Sequence, residues 1–138
     1  MAASELVKTF DLTRVRMIVG GQPISGFQDG DALVIEFDED TYSKVRGADG
    51  EIGRSRMNSD SASFTFNVQY GSLANAIFQQ MADDDRDSNT GIRSLLIEDT
   101  LGGMTLTCAQ VWVRKRPDVT LGKEMPTCEW ILDGGKTN

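Results

Sequence analysis

The sequence predicts a mainly β protein: an antiparallel β-sandwich or barrel with one flanking α-helix. Three observations predict it. Apolar and polar residues alternate with a period of two through much of the chain. A single segment switches to helical spacing. Glycine-rich turn signals, rather than helix-length connections, separate the alternating runs.

The clearest strand covers residues 61–70. Ala62, Phe64, Phe66, Val68 and Tyr70 point one way, and Ser61, Ser63, Thr65, Asn67 and Gln69 the other. In a second strand Leu33, Ile35 and Phe37 face the core, alternating with Val34, Glu36 and Asp38. Val15, Met17 and Val19 face inward in an earlier strand, closed by Gly20-Gly21. Further strands are predicted over 94–99, 104–114 and 127–132, with Leu101-Gly102-Gly103 as the hairpin turn between the first two. Trp112 and Trp130 both fall in apolar strand patterns, which predicts core positions for them.

Ser72 suits an N-cap for a helix from Leu73 to about Ala82, with Leu73, Ile77, Phe78 and Met81 as its apolar stripe. Asp83, Asp84 and Asp85 follow, where the helix macrodipole disfavours negative charge. The helix is therefore expected to end there, with a loop through Gly91.

Residues 42–58 differ in kind. They carry Lys44, Arg46, Arg54 and Arg56 but only Tyr42, Val45, Ile52 and Met57 as apolar side chains, around the turn signal Gly47-Ala48-Asp49-Gly50. This reads as a protruding polar hairpin, either a mobile flap or an element that folds against another subunit. No linker or repeat divides the chain, so residues 1–138 are expected to form one domain.

Composition removes several function classes. The 138 residues include no histidine, which excludes Ser-His-Asp and Cys-His catalysis and His-ligated zinc. A net charge of −7 argues against gripping nucleic acid through its phosphates. Cys108 and Cys128 form no metal-binding pair and read as reduced core thiols. Residues 1–10 hold no apolar leader core, and no apolar run is long enough to span a bilayer. A soluble, non-membrane protein made in a reducing cytoplasm is expected.

Five local patterns are candidate sites. Asp83, Asp85, Asp87 and Asn89 imitate a calcium loop, but no register supplies the glycine and glutamate such a loop needs, so they read as a solvated acidic loop. Gly47, Gly50 and Gly53 lack the lysine-serine pair of a phosphate loop and read as turn glycines. Asp38, Glu39 and Asp40 read as a strand end facing water. Arg114-Lys115-Arg116 is too small to bind nucleic acid on so acidic a chain and suits an intersubunit ion-pair patch. The row Ser61, Ser63, Thr65, Asn67, Gln69 is free of charge, as befits a face covered by a neighbour or lining a lumen.

Three stretches carry a family resemblance: Val19-Gly20-Gly21 leading to Gly26-Phe27-Gln28-Asp29-Gly30; Lys44 through Ser55 of the polar hairpin; and Pro117 through Glu124 followed by Glu129-Trp130. In this order and spacing the chain resembles the tail tube proteins of contractile-tailed bacteriophages, from about Phe10 to Leu132. The resemblance implies a structural virion protein that is no enzyme and has no cofactor, metal or catalytic residue. Its subunits would form hexameric rings that stack into the inner tail tube, through which DNA passes without specific binding. The implied partners are further copies of itself, the tail sheath, the baseplate and the tail terminator. The implied location is the virion tail, assembled in the host cytoplasm.

On that footing Lys44, Arg46, Asp49, Glu51, Arg54 and Arg56 are the expected ring-to-ring contacts. Glu36, Asp38, Ser63, Thr65 and Asn67 are the expected lumen-facing residues. Arg114, Lys115, Arg116, Lys123 and Glu124 are the expected intersubunit charge patch. Two alternatives stay open: a tube subunit of a type VI secretion or tailocin apparatus, and a monomeric β-sandwich binding module.

Overall fold

The computed structural model describes residue 7 and residues 9–138. The leader reading of residues 1–10 therefore lies, except for Val7, Thr9 and Phe10, outside the described residues. A 3-10 turn, Leu12–Arg14, is capped by Asp11 and leads into strand β1 (Val15–Val19). Gly20 and Gly21, at φ 60° and 81°, make the tight turn into β2 (Gln22–Pro23), which is too short to show alternation and is not predicted. The chain continues through β3 (Leu33–Phe37), β4 (Tyr42–Arg46), β5 (Ile52–Arg56) and β6 (Ala62–Gln69). Helix α1 (Ala74–Ser88) follows, then β7 (Arg93–Asp99), β8 (Thr105–Lys115) and β9 (Thr127–Gly134).

Among the described residues seven strands form one antiparallel sheet in the order β2-β1-β7-β8-β9-β6-β3, and β4 pairs only with β5. Strand β8 is the spine. Its first half pairs with β7 and its second half with β9, with register shifts in both ladders that bend the sheet. The curl brings the two ends of the strand order onto one core: Met17 and Ile97 from one end, Leu33 and Ile35 from the other. Among the described residues the architecture is thus mainly antiparallel β with a single α-helix, its core built on one curled seven-stranded sheet.

The helix covers the inner face of that sheet. Phe78 is fully buried with its ring 5.1 Å from Phe66 and 5.5 Å from Trp130, in tilted contacts. Burying a side chain of this size stabilises the fold by about 1.5–3 kcal/mol. Trp130 also donates from Nε1 to Asn75 Oδ1 at 2.8 Å, tying β9 to the first turn of α1. Cys108 and Cys128 are free and buried, as small core side chains.

Several expectations need correction. The helix does not stop at the aspartates; it runs to Ser88 and ends at Asn89 in the left-handed region, φ 57°. Local pairing offsets the macrodipole: Gln79 and Gln80 donate to Asp83 and Asp84, Arg86 pairs with Asp83, and Arg93 of β7 pairs with Asp84 at 2.6 Å. Asp85 Oδ1 accepts from the Gly91 backbone at 2.8 Å. The buried stripe is Ala74, Phe78 and Met81, whereas Leu73 precedes the helix and is 83% exposed. Ser72 does receive an orphan helix N–H, from Ala74, at 3.1 Å.

Phe37 and Tyr70 are expected inside, but both are exposed, since β3 is an end strand with no neighbour beyond it among the described residues and Tyr70 lies past the end of β6. Trp112 is half-buried rather than in the core, because the register of β8 puts it opposite Asp133 on the helix-free face.

Candidate functional site

Directly opposed residues of an antiparallel ladder project to the same side. Glu36 opposes Ser63, Ser63 opposes Asp133, and Asp133 opposes Trp112. One step along, Val34 opposes Thr65, and Thr65 opposes Ile131. Because Ala62, Phe64 and Phe66 point to the helix and the core, this second set lies on the opposite, helix-free face. The fold therefore brings Glu36, Asp38, Ser63 and Thr65 together on one surface.

Its chemistry is acidic and hydroxyl-rich. Ser61 Oγ donates to Asp38 Oδ2 at 2.6 Å, and the Asp38 backbone N–H donates to the Ser61 carbonyl at 3.1 Å. Ser63 Oγ donates to Asp133 Oδ1 at 3.1 Å, and Arg114 Nε lies 3.4 Å from the same oxygen. Farther along the face Arg16 is ion-paired with Glu98. Glu129 and Asp133 belong to this surface and were missed, although Thr127, Glu129, Ile131 and Asp133 alternate visibly with Cys128, Trp130, Leu132 and Gly134.

Asn67 departs from the row. It is buried at 8% exposure, and Nδ2 donates to the Asp31 carbonyl at 3.0 Å. The cause is tertiary: the segment from Phe27 to Ala32 crosses β6, with Gln28 N–H donating to Asn67 and Asn67 N–H to Ala32. The side chain holds that segment down rather than facing an open surface.

The hairpin β4–β5 stands apart, with every residue of both strands exposed. Register fixes its two faces. Tyr42 opposes Arg56, Lys44 opposes Arg54, and Arg46 opposes Ile52, so all four cations, Tyr42 and Ile52 share one side. Arg54 stacks over the Tyr42 ring at 4.2 Å. The tip is a five-residue loop rather than a two-residue turn. Gly47 N–H reaches the Glu51 carbonyl at 2.7 Å, Asp49 Oδ1 accepts from Glu51 N–H at 3.1 Å, and Gly50 adopts φ 88°. Asp49 is thereby a turn-former. Glu51 makes no ion pair among the described residues.

The basic cluster at the end of β8 is only partly a unit. Arg114 turns to Asp133, and Lys115 lies 3.5 Å from Asp118. Arg114, Lys115 and Arg116 line an open cleft of about 850 Å³ against Tyr70 and the start of α1. Lys123 and Glu124 sit in the exposed β8–β9 loop, and no ion pair joins either to this cluster.

The family model described as the bacteriophage PhiTE tail tube protein matches residues 15–138. The chain belongs to that phage tail tube family. No curated protein sequence matches it significantly. It is similar in fold to a chain of the anti-feeding prophage cap (AFP tube terminating cap), with a TM-score of 0.60, 14% identity, and coverage of 100% of this chain and 97% of that one. A chain of the PVC sheath–tube complex, an extracellular contractile injection system in its extended state, gives 0.60 at 13% identity, covering 100% and 97%. A chain of the PVC sheath/tube terminator gives 0.57 at 14% identity, covering 96% and 97%. Family membership makes this tail tube protein a structural component of a tube.

Proposed function

We propose that the chain forms hexameric rings that stack into the inner tube of a contractile phage tail, with the helix-free sheet face turned to the lumen. The observation that carries this reading is the division of the sheet. Helix α1 covers one face, while the other presents Glu36, Asp38, Ser63, Thr65, Glu129 and Asp133. A conduit for DNA needs such a surface, since each lysine or arginine contact to phosphate adds affinity through counterion release and slows transit. Arg114, the cation nearest to Asp133, is already paired with it.

The open edge of β3 suits strand pairing between neighbours within a ring. Lys44, Arg46, Asp49, Glu51, Arg54 and Arg56 of the hairpin suit contacts between rings. Arg116, Lys123 and Glu124, which make no ion pair among the described residues, suit contacts between subunits. In this reading residues 1–138 act as one domain with the hairpin as its arm. The tube would sit inside the tail sheath, rise from the baseplate and end at a terminator, in a virion assembled in the host cytoplasm.

Negative-stain electron microscopy of concentrated protein tests the reading. Rings and tubes with an axial channel are expected, and a dispersed monomer at every concentration would reject it. A second reading, a tube of an injection apparatus that carries no genome, is favoured by the fold likeness to contractile injection systems. Sealed tails that contain DNA would separate the two.

A further inference from the structure

We propose that the apolar groove between β1 and β3 receives the hairpin of a second copy of this chain, with Ile52 entering the groove and its neighbouring cations meeting Asp31 and Asp99. The proposal rests on the tube reading for the repeat it would build.

The groove exists because the curled sheet does not close. Strand β3 ends the strand order on one side, and on the other β2 covers β1 only at Ile18 and Val19. Between the two lies a groove of about 330 Å³. Its floor includes Met17 and Ile97 and is continuous with the core, while Phe10 and Met104 stand on the rim at 73% and 50% exposure. Among the described residues no cation lines it, but Asp31 and Asp99 do. Among the described residues the Asp31 carboxylate has no hydrogen-bond or ion-pair partner, and Asp99 engages only Leu101 N–H at the turn.

The hairpin is the complement. Lys44, Arg46, Arg54 and Arg56 form no ion pair among the described residues, whereas Arg16, Arg86, Arg93, Arg114 and Lys115 each do. Their four charges against Asp49 and Glu51 leave the hairpin at net +2, so the rest of a chain totalling −7 carries −9. Ile52, 60% exposed, lies on the same side as all four cations, so one surface offers an apolar tip ringed by positive charge. The groove offers an apolar floor rimmed by unpaired carboxylates. An exposed isoleucine and an apolar groove each gain by removing area from water, and the unpaired charges give the contact its register. The hairpin leaves from the C-terminal end of β3, and the groove runs beside Leu33 and Ile35 of that strand without a hairpin residue lining it. Donor and acceptor are different surfaces, so the contact is head-to-tail and repeats without limit unless it closes into a ring.

Ile52→Cys and Met104→Cys place a thiol on each side, and the native thiols are buried. Under tube-forming conditions with a mild oxidant or a short bis-maleimide, mixing the two single variants should give a covalent dimer that neither gives alone. The double variant should give a ladder of dimers, trimers and higher oligomers. Arg46→Glu should abolish the ladder and Asp31→Arg should restore it. Wild-type tubes with no Ile52→Cys to Met104→Cys link would overturn the groove as acceptor and leave the tube reading standing. A ladder without tubes in the wild type would keep this contact and remove the tube reading. Mass spectrometry that finds Met104→Cys linked to a segment outside residues 42–58 would assign the groove to another occupant and overturn the proposal.

Discussion

Ser63 and Asp133, 70 residues apart in the chain, meet across the β6–β9 ladder with a 3.1 Å hydrogen bond on the helix-free face. The same Asp133 oxygen holds Arg114, so this carboxylate quenches the cation nearest to it. Glu36 of β3 and Asp38 just past its end are exposed and have no cationic partner among the described residues.

That arrangement predicts the behaviour of a charge reversal. Glu36→Lys with Asp38→Lys should fold normally, since neither side chain enters the core. Tubes of the double variant should retain short duplex DNA, with affinity falling steeply as salt rises. Well-formed mutant tubes that retain no DNA at low salt would place these residues outside the lumen.

Shortening the hairpin tests its role apart from folding. Its strands are exposed throughout, so replacing residues 48–51 with a two-residue turn should leave the melting temperature within a few degrees of wild type. Ordering a free arm costs roughly 1–2 kcal/mol per residue in backbone entropy, which contacts in an assembly can offset. Sedimentation should show a folded monomer or single ring that no longer elongates, and persistent tubes would refute the assignment.

Asn67 and Thr65 should separate cleanly. Asn67→Ala removes the bond to the Asp31 carbonyl and should cost about 1 kcal/mol in urea denaturation of the isolated subunit. Thr65→Ala, on the helix-free face, should leave that stability unchanged. Equal effects would mean that the two share one environment.

Gly134 has no room for a side chain: a Cβ there would lie 2.8 Å from the Phe64 ring and 2.9 Å from Cys108 Sγ. Gly134→Ala should therefore destabilise the subunit by about 1–3 kcal/mol through overpacking. Gly53→Ala, where a Cβ meets nothing within 4 Å, serves as the control in the same denaturation series.

Burial pushes the Cys128 thiol up from its ordinary range. The folded chain thus keeps a proton that the unfolded chain releases, and this residue's contribution to stability declines as pH rises through the ordinary thiol range and above. Native Cys128 should resist alkylation at pH 8 and react on unfolding. Rapid labelling of the native subunit would contradict its burial.

Alternation determined most strands, because a period of two needs only neighbouring residues to declare which side each one faces. Val15–Val19 and Leu33–Phe37 form where the pattern places them, and the thin apolar content of residues 42–58 was enough to detach the hairpin. Local pattern cannot tell which side gets covered. Asn67 is buried because a segment more than thirty residues earlier crosses it, while Phe37 is exposed because β3 has no further neighbour among the described residues. Helix α1 outlasts its aspartates because Arg93 and Gly91 return from the next strand and loop to hold Asp84 and Asp85. The groove beside β1 arises only where the two ends of a curled sheet approach without pairing. Such features depend on contacts between distant residues, and these exist only once the whole sheet has formed.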